Sequence, residues 1–337
     1  MAIYRRRRRR GPIGPGLILS SASAFVIGVW WLYLRADVPA SVRQAANPPA
    51  MPALISTRPE VVPETPPPEV AEKGETPDPP KPSADPAAGQ RAASLVATGK
   101  QALERGDWLA ARSYLSEAFV LGTVEPDRSL LQAELTRIGN ETIFSPRMAA
   151  GDPFAERYVV QPGDSLAKVA KTYKVSSDLL ANINEIKDKN LIRAGQAIKV
   201  IKGPFHAVVD KSDFSLDVYL GKTFVKHFKV GLGADGSTPT GVWRVGNKLK
   251  NPTYYPPRGG KVIAADDPAN PLGERWIGLE GVSGEAVGQL RYGVHGTIEP
   301  DSIGRSVSMG CLRMYNEDVE ALYSYLIEGD STITVRD

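Results

Sequence analysis

The 337-residue chain has a single cysteine, three histidines and few aromatic residues (7%). One thiol excludes an internal disulfide. No grouping of Cys, His, Asp or Glu has zinc-ligand spacing, so neither a metal nor any other cofactor is expected. A strong charge excess is lacking too. The formal net charge is +3, and residues 5–10 are all arginine, so the rest of the chain nets −3. A nucleic-acid-binding protein carries its basic excess over a folded surface or a long tail. Here it stands directly before an apolar run, and no nucleic-acid partner is expected.

Long apolar runs are scarce, but that one is informative. Residues 17–34 read LILSSASAFVIGVWWLYL, without a charge. Residues 14–34 have about the length of a bilayer-spanning helix, which needs roughly 20 residues. Trp30, Trp31 and Tyr33 sit at its far end, where amphipathic rings favour the lipid–water interface. The arginines predict a cytoplasmic basic tail (1–13), one transmembrane helix (14–34) and export of everything beyond it. The alternative is a cleaved signal peptide, with Val38, Pro39 and Ala40 as small residues after the run. Both readings place the body of the protein outside the cytoplasm.

Residues 35–90 predict a disordered linker. Fourteen of the 28 prolines lie between Pro39 and Pro86, and the stretch has no apolar periodicity. Residues 91–145 predict helices: Gly106-Asp107 separates two apolar-striped segments, and Trp108, Ala111, Leu115 and Ala118 recur at helical spacing. A third segment, 129–138, repeats the period. The pair resembles a tetratricopeptide repeat, with Gly99, Ala111 and Ala118 at the small-residue positions. Only one unit is visible, so a spacer or protein-contact surface with an unknown partner is expected.

Residues 157–201 alternate strand, helix, helix, strand. Gln161-Pro162-Gly163-Asp164 carries turn chemistry, Asp164 is placed to cap the helix bearing Leu166, Val169 and Ala170, and Ser176 starts the second helix. Ala194-Gly195-Gln196 turns into the closing strand. The string YVVQPGDSLAKVAKTYKVSSDLLANIN, closed by LIRAGQAIKV, resembles the LysM module. That resemblance implies binding to N-acetylglucosamine-containing glycans such as peptidoglycan.

From residue 205 the period changes to two. Segments 205–209, 214–220 and 223–230 alternate, the last two joined by a Gly221-Lys222 turn. Further strands are predicted at 241–245, 275–279, 290–295 and 331–336, with one helix capped by Asn316 and striped by Val319, Leu322, Tyr323 and Leu326. The fold class expected for the whole is therefore multidomain, with a mainly β sandwich or barrel over 205–337 behind a small α+β module.

His206 and His227 fall within alternating strands and read as packing or surface residues. His295 differs, because it ends a strand, is followed by Gly296, and precedes the only cysteine, Cys311, by sixteen positions. A thiol needs a basic neighbour to act as a nucleophile near neutral pH, and backbone N–H groups to receive an oxyanion. Gly310 leaves the approach to the sulfur open. On these residues alone, catalysis and a small buried apolar cysteine are equally supported readings.

The string YGVHGTIEPDSIGRSVSMGCLRMYNEDV resembles the catalytic motif of YkuD-type L,D-transpeptidases, His-Gly-Thr followed by Ser-x-Gly-Cys-x-Arg-Met. His295, Gly296, Thr297, Ser308, Gly310, Cys311, Arg313 and Met314 match it. Ser237-Thr238-Pro239-Thr240-Gly241 matches the motif upstream. Met309 stands where many members have histidine. The resemblance implies a mainly β L,D-transpeptidase domain acting on peptidoglycan stem peptides and glycan strands in the periplasm or cell-wall space. It implies Cys311 as nucleophile and His295 as base, titrating between pH 5 and 9, with the Gly296 carbonyl orienting the imidazole. Gly310 and Cys311 would supply the oxyanion hole, Ser308 and Arg313 would support the loop or bind substrate carboxylate, with Arg313 equally a structural ion-pair partner, and Thr297 would be a further supporting residue. The implied reaction is a 3→3 cross-link with release of D-Ala. Hydrolysis of stem peptides, anchoring of a protein to the wall, and an inactive glycan-binding scaffold are the alternatives.

Overall fold

Pro86 opens the first helix, where its fixed φ suits the first turn and its missing N–H costs no hydrogen bond. Helix α1 (Pro86–Glu104) thus begins inside the stretch expected to be linker. This computed structural model describes residues 86–122, 127–257 and 259–337. The basic tail, the membrane segment and the rest of the linker lie outside the described residues. Among the described residues no helix is long and apolar enough to cross a membrane.

Gly106, at φ 75°, ends α1. Asp107 then caps α2 (Trp108–Leu121), its carboxylate accepting from Ala110 N at 3.0 Å. Gly99 lets the two helices meet, since a Cβ there would lie 2.5 Å from the Leu115 side chain. Helix α3 (Asp127–Thr142) follows.

The next unit has the expected order: β1 (Ala155–Val159), α4 (Leu166–Thr172), α5 (Ser177–Ile183) and β2 (Ala197–Ile201), with β1 and β2 antiparallel. Ser176 caps α5 as expected, accepting from Leu179 N at 2.9 Å. The cap of α4 is Ser165 rather than Asp164. Asp164 is held instead by the Tyr158 hydroxyl (2.6 Å) and Gln161 N (2.9 Å), which closes the turn before the helix.

The C-terminal part contributes β3 (Phe205–Asp210), β4 (Ser215–Leu220), β5 (Thr223–Lys229), β6 (Leu232–Gly233), β7 (Gly241–Lys250), β8 (Arg275–Gly281), β9 (Tyr292–His295), β10 (Ser306–Ser308), β11 (Leu312–Arg313), α6 (Asn316–Tyr325) and β12 (Thr332–Arg336). Eight strands form one mixed sheet in the order β11-β9-β8-β7-β12-β3-β4-β5, with β6 and β10 as a separate parallel pair. The final strand, β12, inserts between β3 and β7 and so joins the first hairpins to the strands that bear the site. Alternation within single strands cannot show this joining, and it had suggested two packed sheets or a barrel.

Strand β4 is buried along its whole length, although its sequence alternates. Leu216, Val218 and Leu220 face the main core with Trp243, Val245 and Ile277. Tyr219 and Phe224 join a second cluster with Leu135, Ile138 and Phe119 of the helices. The face that period-two patterning marks as polar is therefore covered by α2 and α3. Gly139 allows the closest approach, since a Cβ there would stand 2.0 Å from the Val225 carbonyl. Asp217 on this face accepts from Gln132 Nε2 (3.3 Å) and pairs with His227 Nδ1 (2.7 Å). His206 Nδ1 accepts from Thr332 N at 3.2 Å. Both histidines are thus packing residues.

Buried polar contacts tie the helices to the βααβ unit. Arg112 grips Asp152 with two bonds (2.6 and 3.1 Å), both side chains almost fully buried, and also donates to Thr142 Oγ1. Lys199 of β2 donates to the carbonyls of Thr142, Ser145 and Arg147 at 2.6–2.9 Å, satisfying the C-terminal end of α3. Removing one partner of a buried pair strands the other charge. Asp152→Ala is expected to lower unfolding free energy by about 3–5 kcal/mol, read by urea denaturation.

Candidate active site

Strand β9 runs beside β11 in parallel, with Leu312 opposite Val294 and Arg313 opposite His295. Cys311 immediately precedes that pairing, so the sheet brings the sulfur to the strand that ends in the imidazole. Gly293 N–H donates to the sulfur, and the thiol donates to the Arg291 carbonyl at 3.7 Å. Cys311 and His295 line one cavity of about 890 Å³, together with Trp276, Tyr292, Ser308, Met309 and Arg313. Segments 252–257 and 271–272 form another part of its wall.

Two contacts hold the imidazole and a third holds its backbone. His295 Nδ1–H donates to the Gly296 carbonyl at 2.7 Å, leaving Nε2 as the acceptor. The Trp276 ring stacks on it with centroids 5.9 Å apart at 18°. The His295 carbonyl accepts from Met314 N at 2.9 Å. Gly293 makes room for that indole, because a Cβ would fall 2.6 Å from the Trp276 ring.

Asn316 does not cap α6, as expected from sequence. It is the first helical residue, and Tyr315 occupies the cap without a side-chain bond. The Asn316 amide instead clasps the turn after His295, accepting from Thr297 N (3.0 Å) and donating to Thr297 O (3.1 Å). This clasp explains Gly296, where a Cβ would lie 2.0 Å from Asn316 Oδ1. Thr297 is buried, and its hydroxyl accepts from Glu299 N at 2.9 Å.

The loop before the cysteine is closed on itself. Ser308 Oγ donates to Cys311 O (2.7 Å) and accepts from Gly310 N (3.2 Å). Thr238 Oγ1 donates to Gly310 O (2.9 Å) and accepts from Gly233 N (2.8 Å). Gly310 has φ 120°, and a Cβ would meet the Tyr292 ring at 2.7 Å and Ser237 O at 2.8 Å. No other residue suits that corner. Arg313 pairs with Glu299 at 2.7 Å and also lines the cavity. Met309 is 59% exposed, so its departure from the motif puts an apolar side chain at the rim and none in the packing beneath.

Burial governs the ionisation of the pair. It pulls the His295 pKa down to about 4, with the Arg313 charge adding to the effect and the Gly296 hydrogen bond opposing it. Burial also pushes the Cys311 thiol up, against the Gly293 N–H and Arg313. At neutral pH both groups are therefore neutral at rest. The expected titration of His295 between pH 5 and 9 moves to a more acid range.

A family model described as the L,D-transpeptidase catalytic domain, YkuD, matches residues 204–335, and a LysM domain model matches residues 158–200. A Bacillus subtilis (strain 168) protein named L,D-transpeptidase YkuD is 32% identical over 180 residues, covering 51% of this chain and 94% of that protein. An Escherichia coli (strain K12) protein named probable L,D-transpeptidase YcfS is 31% identical over 196 residues, covering 51% of this chain and 58% of that one. Among solved structures, the catalytic domain of an E. faecium L,D-transpeptidase matches 39% of this chain and 95% of its own length, at 17% identity and a TM-score of 0.31. With its cysteine and histidine strands side by side on a mainly β domain, the chain belongs to the YkuD L,D-transpeptidase family and carries a LysM domain.

Sequence reasoning missed Gly293, Trp276, the clasping role of Asn316, and Arg291. Their partners lie on other strands, so no local string marks them.

Two outcomes follow from this geometry. Asn316→Ala leaves the buried Thr297 backbone without partners and is expected to lower stability by about 1–3 kcal/mol, with a larger proportional loss of turnover, checked by denaturant melts beside initial rates. The depressed His295 pKa means the unfolded chain binds more protons between about pH 4 and 6.5. The stability due to this group is thus complete above pH 6.5 and lost as pH falls toward 4. Activity is expected to hold a plateau from about pH 5 to 8 and to fall below it. A rate–pH profile bending near pH 6.5 would contradict this assignment.

Proposed function

We propose that the protein is a peptidoglycan L,D-transpeptidase that forms 3→3 cross-links through a thioester on Cys311. The carrying observation is that Cys311 and His295 open on one cavity, with the His295 tautomer set by Gly296 so that Nε2 is free to accept a proton.

In this reading the donor's carbonyl enters beside the sulfur. The thiol passes its proton to His295 Nε2 as the S–C bond forms, so charge arises only once substrate fills the cavity. The Cys311 N–H lies beside the sulfur by covalent geometry and receives the oxyanion. Gly310 N–H is engaged by Ser308 Oγ and shapes the corner instead. The tetrahedral intermediate collapses, the imidazolium protonates the departing amine, and D-Ala leaves. His295 then takes a proton from the side-chain amine of a second stem as that amine attacks the thioester. The new amide forms and the thiol is restored. Water in place of the amine gives a carboxypeptidase, and a protein amine gives wall anchoring.

The LysM domain supports delivery to glycan strands. A membrane anchor at residues 14–34 and a cytoplasmic N-terminus rest on the sequence alone, as does a tetratricopeptide-like partner surface over 91–145.

Cys311→Ala is expected to abolish acyl transfer while leaving thermal unfolding near wild type. His295→Gln is expected to lower kcat by roughly 10²–10⁴-fold. Incubation with purified tetrapeptide muropeptides and mass spectrometry distinguishes the outcomes: 3→3 dimers support transfer, and tripeptides alone support hydrolysis. Turnover retained by Cys311→Ala sinks the mechanism.

A further inference from the structure

The cavity around the cysteine has an uneven wall. Its described lining includes Arg291 and Arg313 and no aspartate or glutamate. Arg313 is neutralised by Glu299 at 2.7 Å. Arg291 has an exposed side chain, and among the described residues no acid pairs with it. Such a wall suits an anionic ligand.

The backbone makes this arginine harder to dismiss. Arg291 has φ 67°, in the left-handed region that glycine or asparagine enters more easily than a long side chain. Backbone shape alone would favour a small residue at this corner. Strained positions of this kind gather at functional sites. The corner also lies close to the nucleophile, because its carbonyl accepts the Cys311 thiol at 3.7 Å. Arg291 therefore projects its guanidinium from a point beside the nucleophile.

We propose that Arg291 binds the terminal carboxylate of the donor peptide and sets a preference for donors whose C-terminal carboxylate is free. The proposal rests on the acyl-transfer reading of Cys311. The attacked carbonyl and the terminal carboxylate belong to adjacent residues, whose Cα atoms are about 3.8 Å apart. A carboxylate so placed lies within reach of an arginine rooted beside the sulfur. The guanidinium fork matches a carboxylate with two hydrogen bonds, whereas lysine keeps the charge and loses the fork. The contact is present before and during attack, so it acts on KM more than on kcat.

The test uses the full chain, a tetrapeptide muropeptide donor with a free C-terminus, and the same donor as its C-terminal carboxamide. Kinetics compare wild type with Arg291→Gln and Arg291→Lys. Equilibrium binding of both donors is measured in Cys311→Ala protein, with and without Arg291→Gln. Wild type is expected to prefer the acid by roughly tenfold or more, expressed in KM. Arg291→Gln is expected to erase that preference, and Arg291→Lys to keep part of it. Unchanged melting temperature and iodoacetamide labelling of Cys311 show that fold and nucleophile survive. Turnover with no acid preference, or a preference that survives Arg291→Gln, overturns the proposal. Acid-selective, Arg291-dependent binding without turnover by the wild type leaves this site standing and removes the acyl-transfer reading instead.

Discussion

Parallel pairing of β9 with β11 places His295 opposite Arg313 and leaves Cys311 at the mouth of the pair. Sulfur and imidazole, sixteen residues apart in the chain, share a cavity because of these few backbone bonds. The intervening loop must rise and return over a short distance, which explains how tightly both its ends are fastened. At one end Asn316 clasps Thr297. At the other, Ser308 and Thr238 hold the peptide groups around Gly310. The Asn316 clasp leaves no room for a Cβ at Gly296, and the Tyr292 ring and Ser237 carbonyl leave none at Gly310. The two glycines are therefore consequences of the pairing.

The same enclosure decides the charge state. A buried imidazole beside Arg313, stacked under Trp276, is held neutral, and the half-buried thiol is pushed toward its protonated form. A resting ion pair is the usual picture of an activated cysteine, and the sequence pointed toward it. Burial outweighs the hydrogen bonds from Gly293 and to Gly296 that favour the charged forms. The consequence is a thiol that is neutral at rest beside a neutral imidazole. Arg313 disfavours protonation of His295 while favouring a thiolate. Its pairing with Glu299 moderates both effects and leaves Arg291 as the cation without an acidic partner among the described lining residues.

How much of this could be read from the chain depends on the range of each interaction. Cys311, His295, Gly296, Ser308, Gly310 and Arg313 lie within one short string, so their types and spacing were legible. The strands bearing them were legible from alternation, and the βααβ order from turn chemistry. Asp164 and Asn316 were misread in the same way: each is a good helix cap by type, and each is drawn off by a neighbouring partner, Tyr158 for one and Thr297 for the other. The local preference was real and a further contact overrode it. Trp276 and Gly293 were invisible because their meaning is a cross-strand stack. The joining of all eight strands through β12 was invisible because it is set by the last residues of the chain.

Helices α2 and α3 then acquire a physical role that does not require a partner protein. Strand β4 exposes no residue, and the second core is built from Leu135, Ile138 and Phe119 against Tyr219 and Phe224. Burying a large apolar side chain contributes on the order of 1.5–3 kcal/mol, so several such contacts are a substantial share of a domain's marginal stability. The outer face of β3–β5 would otherwise present Val208, Tyr219 and Phe224 to water beside the part-buried Asp217–His227 pair. Asp217 depends on Gln132 and His227 for its hydrogen bonds. Lys199 of the LysM domain then holds the C-terminal end of α3, and Arg112 joins α2 to Thr142 of α3 and to Asp152 ahead of β1. Movement of the LysM domain independent of the helices would have to break the buried Lys199 contacts first. The LysM domain and the cysteine site are thus held on one connected framework, built by the two cores that the helices and the sheet share.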